Sequence, residues 1–168
     1  MWIFLELKVS IAELDREEKT YDFGTFEIYA VGQGLTFLSA LWFDSFWIGP
    51  QMVHFFGIFT FIAGVCFRRW AVRSLGEYYS HIVRTFDEHK IVTSGPYRLT
   101  RHPAYTGMIV ANIGVVLYFF NWFTLSIFLL FLLPAIVFRI IVEEKTLFEI
   151  EGYADFAQRR KRLFPLIW

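Results

Sequence analysis

The sequence predicts an all-α integral membrane protein with about four transmembrane helices, an N-terminal interfacial helix, and a polar central loop and C-terminal helix on one side. Three observations predict it. Apolar residues make up 56% of the 168 residues and aromatics 21%, with 21 Phe, against an ordinary apolar share of about 45–50%. Such an excess needs a second apolar solvent, and the bilayer is one. The apolar residues also gather in four long runs divided by turn signals such as Gly49-Pro50 and Asn121-Trp122. Finally, a formal net charge of zero conceals segregation: Lys and Arg gather in the N-terminal region, around the central loop, at the end of the fourth run and in the tail. A balanced total gives no electrostatic footprint for nucleic acid.

The elements follow in order. Residues 1–14 mix Trp2, Ile3, Phe4 and Leu5 with Glu6, Lys8 and Glu13. That stretch is too short and too charged to span, and reads as a helix on the membrane surface. It also lacks the basic start of a cleavable leader. Residues 15–22 form a charged turn. The first span is 26–47, with Glu27 and Asp44 near its ends. The second is 52–70, where Gly57, Ala63 and Gly64 permit close helix approach. The third is 104–120. Its Gly107, Ala111 and Gly114 share a face, and it falls short of the ~20 apolar residues a span needs. The fourth is 123–142, with a bend at Pro134. The chain is one domain, 1–168, divided into an interfacial N-terminus (1–22), a first helical hairpin (26–70), a loop (71–103), a second hairpin (104–142) and a C-terminal segment (143–168). Four spans place every basic stretch on one side, which the positive-inside rule assigns to the cytoplasm. The expected location is the cytoplasmic (inner) membrane, with both termini cytosolic. The cluster Arg159-Arg160-Lys161-Arg162 reads as an orientation signal in contact with anionic lipid. The one cysteine, Cys66, excludes an intrachain disulfide and a CxxC metal or redox site.

Two features carry chemistry. The first is the run from His89 to Gly107. Gly95-Pro96 demands a turn, and Pro103 favours the first turn of the third helix. Arg101 and His102 then stand at the mouth of that helix, where free N–H groups favour an anion. A capped loop whose His and Arg hold lipid phosphates is an equal reading of the same residues. The second is Arg139 with Glu143, four apart on one face of the fourth helix. An ionisable group at that depth usually faces a bundle interior or a wet cavity. Glu144, Lys145 and Glu149 read as structural ion-pairing residues.

The residues His89-Lys90-Ile91-Val92-Thr93-Ser94-Gly95-Pro96-Tyr97-Arg98, Arg101-His102-Pro103-Ala104-Tyr105-Thr106-Gly107, Arg139 with Glu143-Glu144, Gly152-Tyr153 with Phe156, and Arg162-Leu163-Phe164-Pro165 together resemble the isoprenylcysteine carboxyl methyltransferase family. Leu75-Gly76 and the run from Tyr79 to Val83 also fit. The broader group includes phospholipid N-methyltransferases, and the compact form resembles its prokaryotic branch. The spaced combination is specific, whereas Arg-His-Pro alone is weak. The resemblance implies S-adenosylmethionine as cofactor, held by the cytosolic loop and the C-terminal region. His89, Lys90, Ile91 and Val92 would line the adenosine, and Tyr97 would pack against the cofactor. His102, Pro103, Ala104 and Tyr105 would hold its methionine part, with His102 donating to the carboxylate and Glu143 meeting the ammonium. Arg139 resembles the family's substrate-positioning arginine. Arg139, Glu143 and His102 are the implied catalytic set, with no metal. Where eukaryotic members carry a Gln contact, Arg84 stands here.

The implied reaction suits these residue types. A carboxylate acceptor is already ionised near neutral pH, its ordinary pKa being about 4, so the site has to align two reactants and strip water rather than supply a base. The expected partners are a lipophilic or prenylated substrate and membrane lipid, with an isoprenylcysteine carboxylate favoured as acceptor. An amine or thiol acceptor would need a base, for which His81 and His102 are nearest. An NADPH-dependent membrane reductase on a related helical scaffold and a non-enzymatic lipid-binding protein are the readings from other classes.

Overall fold

The computed structural model of the protein describes residues 24–45, 51–76, 91–164 and 168. Among them the chain forms five helices: α1 (Thr25–Trp42), α2 (Met52–Leu75), α3 (Pro103–Tyr118), α4 (Trp122–Leu147) and α5 (Tyr153–Gln158). A 3₁₀ turn, Gly95–Arg98, precedes α3. The only strand-like pairing in the described residues is an isolated bridge between Thr100 and Lys161. The surface helix expected at 1–14 lies outside the described residues.

α1 is built inside out. Its buried seam is Thr25, Tyr29, Gly32, Thr36, Ser39 and Ala40, while Ile28, Val31, Leu35, Leu38, Leu41 and Trp42 are exposed. A helix in water would reverse this arrangement. The seam's threonine and serine hydroxyls bond within the protein: Thr36 Oγ1 donates to the Gly32 carbonyl at 2.8 Å, and Ser39 Oγ lies 3.1 Å from Thr124 Oγ1 on α4. In the same seam region Gln33 and Asn112 on α3 exchange reciprocal amide bonds of 2.9 and 3.1 Å. α1 stops at Trp42, short of the expected 47, where Phe43 turns extended and stacks on Phe123 at 4.1 Å.

α2 and α3 form the closest helix pair. A Cβ added at Gly57 would lie 2.8 Å from Tyr118 N, and one at Gly107 would lie 2.6 Å from Arg68 N. Gly64 and Gly114 meet the backbones of Ala111 and Phe61 in the same reciprocal way. These glycines let the two backbones touch, the packing device available when lipid removes the hydrophobic drive. Ala63 is exposed and stands off this seam. α2 also runs on past the expected end at 70, stopping at Gly76, whose φ of 60° no L residue readily adopts.

Asn121 is fully buried and caps α4, its Oδ1 accepting from Thr124 N at 2.8 Å. The irregularity expected at Pro134 takes the form of a π turn, Phe128–Leu132, just before it. Proline lacks the N–H that would close an ordinary turn onto the carbonyl four residues back. Met108, Leu132, Ile136 and Ile140, all completely buried, knit α3 to α4, with Tyr29 joining from α1. Among the described residues, α2 and α4 are the two helices long and apolar enough to cross a membrane. α3, with 16 residues, is about 24 Å long at 1.5 Å per residue.

Candidate active site

The site forms where the start of α3, the end of α4 and the tail converge. The peptide before α3 cannot continue as helix, because Gly95 has a φ of 57° and Pro103 occupies the first helical turn. A side chain at Gly95 would also meet Ser74 Oγ at 2.8 Å. Pro96 and Tyr97 are buried, Tyr97 against Ala71 and Ala104. Past this turn, the tail runs beside the chain. Arg101 N donates to the Lys161 carbonyl and His102 N to the Arg162 carbonyl, both at 2.9 Å, and Thr106 Oγ1 donates to the Leu163 carbonyl at 2.6 Å.

Glu144 is the hub of this junction. Its Oε1 accepts from Arg101 Nη1 at 2.7 Å and lies 3.3 Å from His102 Nε2, while its Oε2 accepts from Arg162 Nε at 2.6 Å. The carboxylate is 4% exposed, so its charge needs these partners. Two guanidiniums around one carboxylate leave surplus positive charge at the mouth of α3, where the helix's free N–H groups also favour an anion. A carboxylate only accepts, so the His102 contact requires the proton on Nε2. With the proton there, Nδ1 of the neutral ring is an acceptor.

One residue earlier on α4, Glu143 points elsewhere. Its Oε2 is buried with no hydrogen-bond partner among the described residues. The Tyr153 hydroxyl on α5 is likewise buried and unpartnered. Burial, followed by the carboxylates of Glu144 and Glu143, holds that phenol protonated well above its ordinary range. One turn up α4, Arg139 is 4% exposed. Its Nε donates to the Tyr105 hydroxyl and its Nη1 to Thr25 Oγ1, both at 2.9 Å, and the Phe26 ring centre lies 5.8 Å from its Cζ.

The residues singled out from sequence thus fall into connected groups. Ile91 packs beside Tyr153, Phe156 and Leu147, and Val92 beside Ala71, Tyr97 and Ala104. Their peptide therefore bridges the C-terminal segment and the α2–α3 pair. His102 and Tyr105 stand side by side, ring centres 5.9 Å apart. Pro103 and Ala104 are buried in the first turn of α3. Arg139 and Glu143 share a face of α4. His81, Arg84, His89 and Lys90 lie outside the described residues. Sequence reasoning gave Arg162 only a membrane-surface role and passed over Thr25. Arg162 was signalled by its place in the Arg-Leu-Phe-Pro block, whereas no local pattern marks Thr25.

Residues 56–149 match the model of the isoprenylcysteine carboxyl methyltransferase (ICMT) family. The chain belongs to this family. Among its relatives, a probable protein-S-isoprenylcysteine O-methyltransferase of Oryza sativa is 33% identical over 119 residues, covering 68% of this chain and 62% of that one. The protein-S-isoprenylcysteine O-methyltransferase of Saccharomyces cerevisiae is 36% identical over 107 residues, covering 62% and 45%. The chain therefore spans about three fifths or less of the length of these relatives. A solved structure of the eukaryotic intramembrane Ras methyltransferase ICMT superposes with a TM-score of 0.62 at 25% identity, over 86% of this chain and 53% of that one. That intramembrane neighbour, with the two membrane-length apolar helices, makes the ICMT-family chain described here a membrane protein.

Proposed function

We propose that this protein is a methyltransferase that uses S-adenosylmethionine to esterify the carboxylate of a lipophilic isoprenylcysteine, with four spans and its site on the cytosolic side. The observation that carries the reading is the placement on one face of α4 of a buried arginine, Arg139, and a buried carboxylate oxygen, Glu143 Oε2, that has no hydrogen-bond partner among the described residues. The inside-out face of α1 supports counting it as a span although its polar seam sets it apart from α2 and α4.

The residues present fit the cofactor. An unpartnered buried carboxylate oxygen suits an ammonium group, and the surplus positive charge around His102, Arg101 and Arg162 suits a carboxylate. Ile91 and Val92 offer main chain between two packed walls, as does Tyr97's turn, with His89 and Lys90 next to them in sequence. Pro103, Ala104 and Tyr105 complete the methionine side. When bound, S-adenosylmethionine supplies an electrophilic methyl group. The chain's own contribution is alignment and dehydration. Arg139 offers a planar fork of N–H donors to the acceptor carboxylate. The apolar surfaces of the bundle take the isoprenyl tail and exclude water. The acceptor is ionised already, so no side chain has to remove a proton.

Calorimetry of S-adenosylhomocysteine binding to the detergent-purified protein, with Glu143→Gln alongside, tests this. Micromolar binding that weakens at least tenfold in the variant supports the assignment. A folded wild-type protein that binds no S-adenosylhomocysteine overturns it.

A further inference from the structure

We propose that the outward face of α2 is a seat for an anionic phospholipid, with Arg69 and Arg73 holding the phosphate and the apolar residues beneath them lying along the acyl chains. α2 presents two unlike faces. Gly57, Gly64, Arg68 and Ala71 are buried against the bundle. On the other side Phe55, Phe59, Ile62, Cys66, Arg69 and Arg73 follow one another at steps of four and three, and all of them are exposed. That spacing puts them on one stripe of the helix. The stripe is apolar for most of its length and ends in two guanidiniums. Arg68 shows the contrast: it turns inward, 5% exposed, and its Nη1 donates to the Ala104 carbonyl at 3.4 Å. The Arg69 and Arg73 side chains make no ion pair or hydrogen bond among the described residues.

Helix length fixes where this end sits. From Phe55 to Arg73 the rise is about 27 Å at 1.5 Å per residue, close to the hydrocarbon thickness of about 30 Å. Arg73 therefore reaches the headgroup layer when Phe55 sits at the opposite edge of the hydrocarbon. Arg69, one turn deeper, reaches the same layer by extending its side chain. Trp70, 50% exposed, flanks the pair as an interfacial ring does. Its indole nitrogen lies 3.5 Å from the point where a Cβ at Gly95 would stand, so the seat borders the 3₁₀ turn. The charge around this end selects the headgroup. Neither α2 nor residues 91–107 contain an Asp or Glu, and the 3₁₀ turn adds the exposed Arg98. A phosphodiester offers two oxygens to a guanidinium fork. A zwitterionic headgroup would bring its ammonium into this positive field, whereas a glycerol headgroup adds no cation. An acidic peptide would meet the arginines and leave Phe59, Ile62 and Cys66 uncovered. A molecule carrying anion and acyl chains together fits the whole stripe.

Native mass spectrometry of the detergent-purified full chain, titrated with dioleoylphosphatidylglycerol or dioleoylphosphatidylcholine, measures the first lipid bound. Wild type is expected to bind the anionic lipid about tenfold more tightly. Arg69→Gln/Arg73→Gln is expected to bring that ratio below about three, since each basic residue at the surface adds to the attraction. Its melting temperature and its phosphatidylcholine binding should match wild type. Arg159→Gln/Lys161→Gln, in the exposed part of the tail, should keep most of the preference. Glycerol 3-phosphate, which has the anion without the chains, should not compete at millimolar concentration. If the double variant fails to fold, the two single variants carry the test, each expected to lose part of the preference. Equal affinity of wild type for the two lipids overturns the proposal, as does an undiminished preference in the α2 variants. A tail variant that loses as much preference as the α2 variant, or competition by glycerol 3-phosphate, overturns it as well.

Discussion

Arg162 Nε donates to Glu144 Oε2 at 2.6 Å, and through this bond the tail is fastened to the end of α4. The same carboxylate holds Arg101 at 2.7 Å, so one side chain joins three segments that are separate in sequence. Removing its charge strands two guanidiniums, which is more costly than losing the bonds alone. Glu144→Gln should therefore destabilise the protein by about 3 kcal/mol. It should also weaken S-adenosylhomocysteine binding, because the mouth of α3 loses its neighbour strand. Thermal melts in detergent and calorimetry read the two effects. A melt unchanged within a degree would show that the cluster holds nothing together.

The α2–α3 seam makes a sharper steric prediction. A Cβ at Gly64 would run into the backbone at Ala111 and Gly107, whereas one at Gly34 on α1 meets nothing within 4 Å. Gly64→Ala should cost about 1–3 kcal/mol as overpacking against main chain that has no room to yield. Gly34→Ala should leave the melting temperature unchanged or slightly raised. Equal melts for the two variants would mean that the helices are not in backbone contact.

Much of this was legible in the sequence, and the physical reasons divide cleanly. Periodicity and turn chemistry are local, so α3 begins at Pro103, the 3₁₀ turn falls at Gly95-Pro96 and the chain turns at Asn121 as the residues suggest. The shared face of Gly107, Ala111 and Gly114 is likewise a matter of spacing. Local signals fail where an end is set by something distant. The end of α2 at Leu75 rather than 70 combines a local stop at Gly76 with distant packing on the 3₁₀ turn. Thr25 carries no local signal, because its partner Arg139 lies 114 positions away. A basic cluster in a tail suggests solvent and lipid, and only the fold shows Arg162 bonded to the buried Glu144. The inside-out face of α1 follows the same rule. Its exposed leucines are apolar by composition, but which side they face becomes visible only once α4 covers the Thr and Ser seam.

The amide pair of Gln33 and Asn112 predicts a coupling. Asn112 is 1% exposed and also donates to the Met108 carbonyl at 2.9 Å. Asn112→Leu should cost about 1–2 kcal/mol by leaving the Gln33 amide without its partner in an apolar bundle. Adding Gln33→Leu should recover part of that loss, since two apolar groups leave nothing unsatisfied. A double-mutant cycle on detergent melts measures the coupling, and additive losses would show that the amides do not depend on one another.

Tyr153 gives the last prediction, and its sign is informative. Its hydroxyl is buried without a partner, so Tyr153→Phe removes an unsatisfied donor while keeping the ring contacts to Phe148 at 5.2 Å and Phe156 at 5.7 Å. The cofactor-free protein should be as stable as wild type or more so. If the hydroxyl serves the cofactor, affinity for S-adenosylhomocysteine should fall by about tenfold, the effect of losing one hydrogen bond to a charged ligand. Burial and the two neighbouring glutamates raise the phenol's pKa, so it remains a neutral donor throughout any working pH. The affinity ratio between wild type and Tyr153→Phe should accordingly be constant from about pH 6 to 9, below even the ordinary tyrosine pKa of about 10. A ratio that collapses toward one as the pH rises would show the phenol ionising, which would contradict its burial between α4 and α5. A lower melting temperature with unchanged affinity would make the hydroxyl part of the scaffold instead.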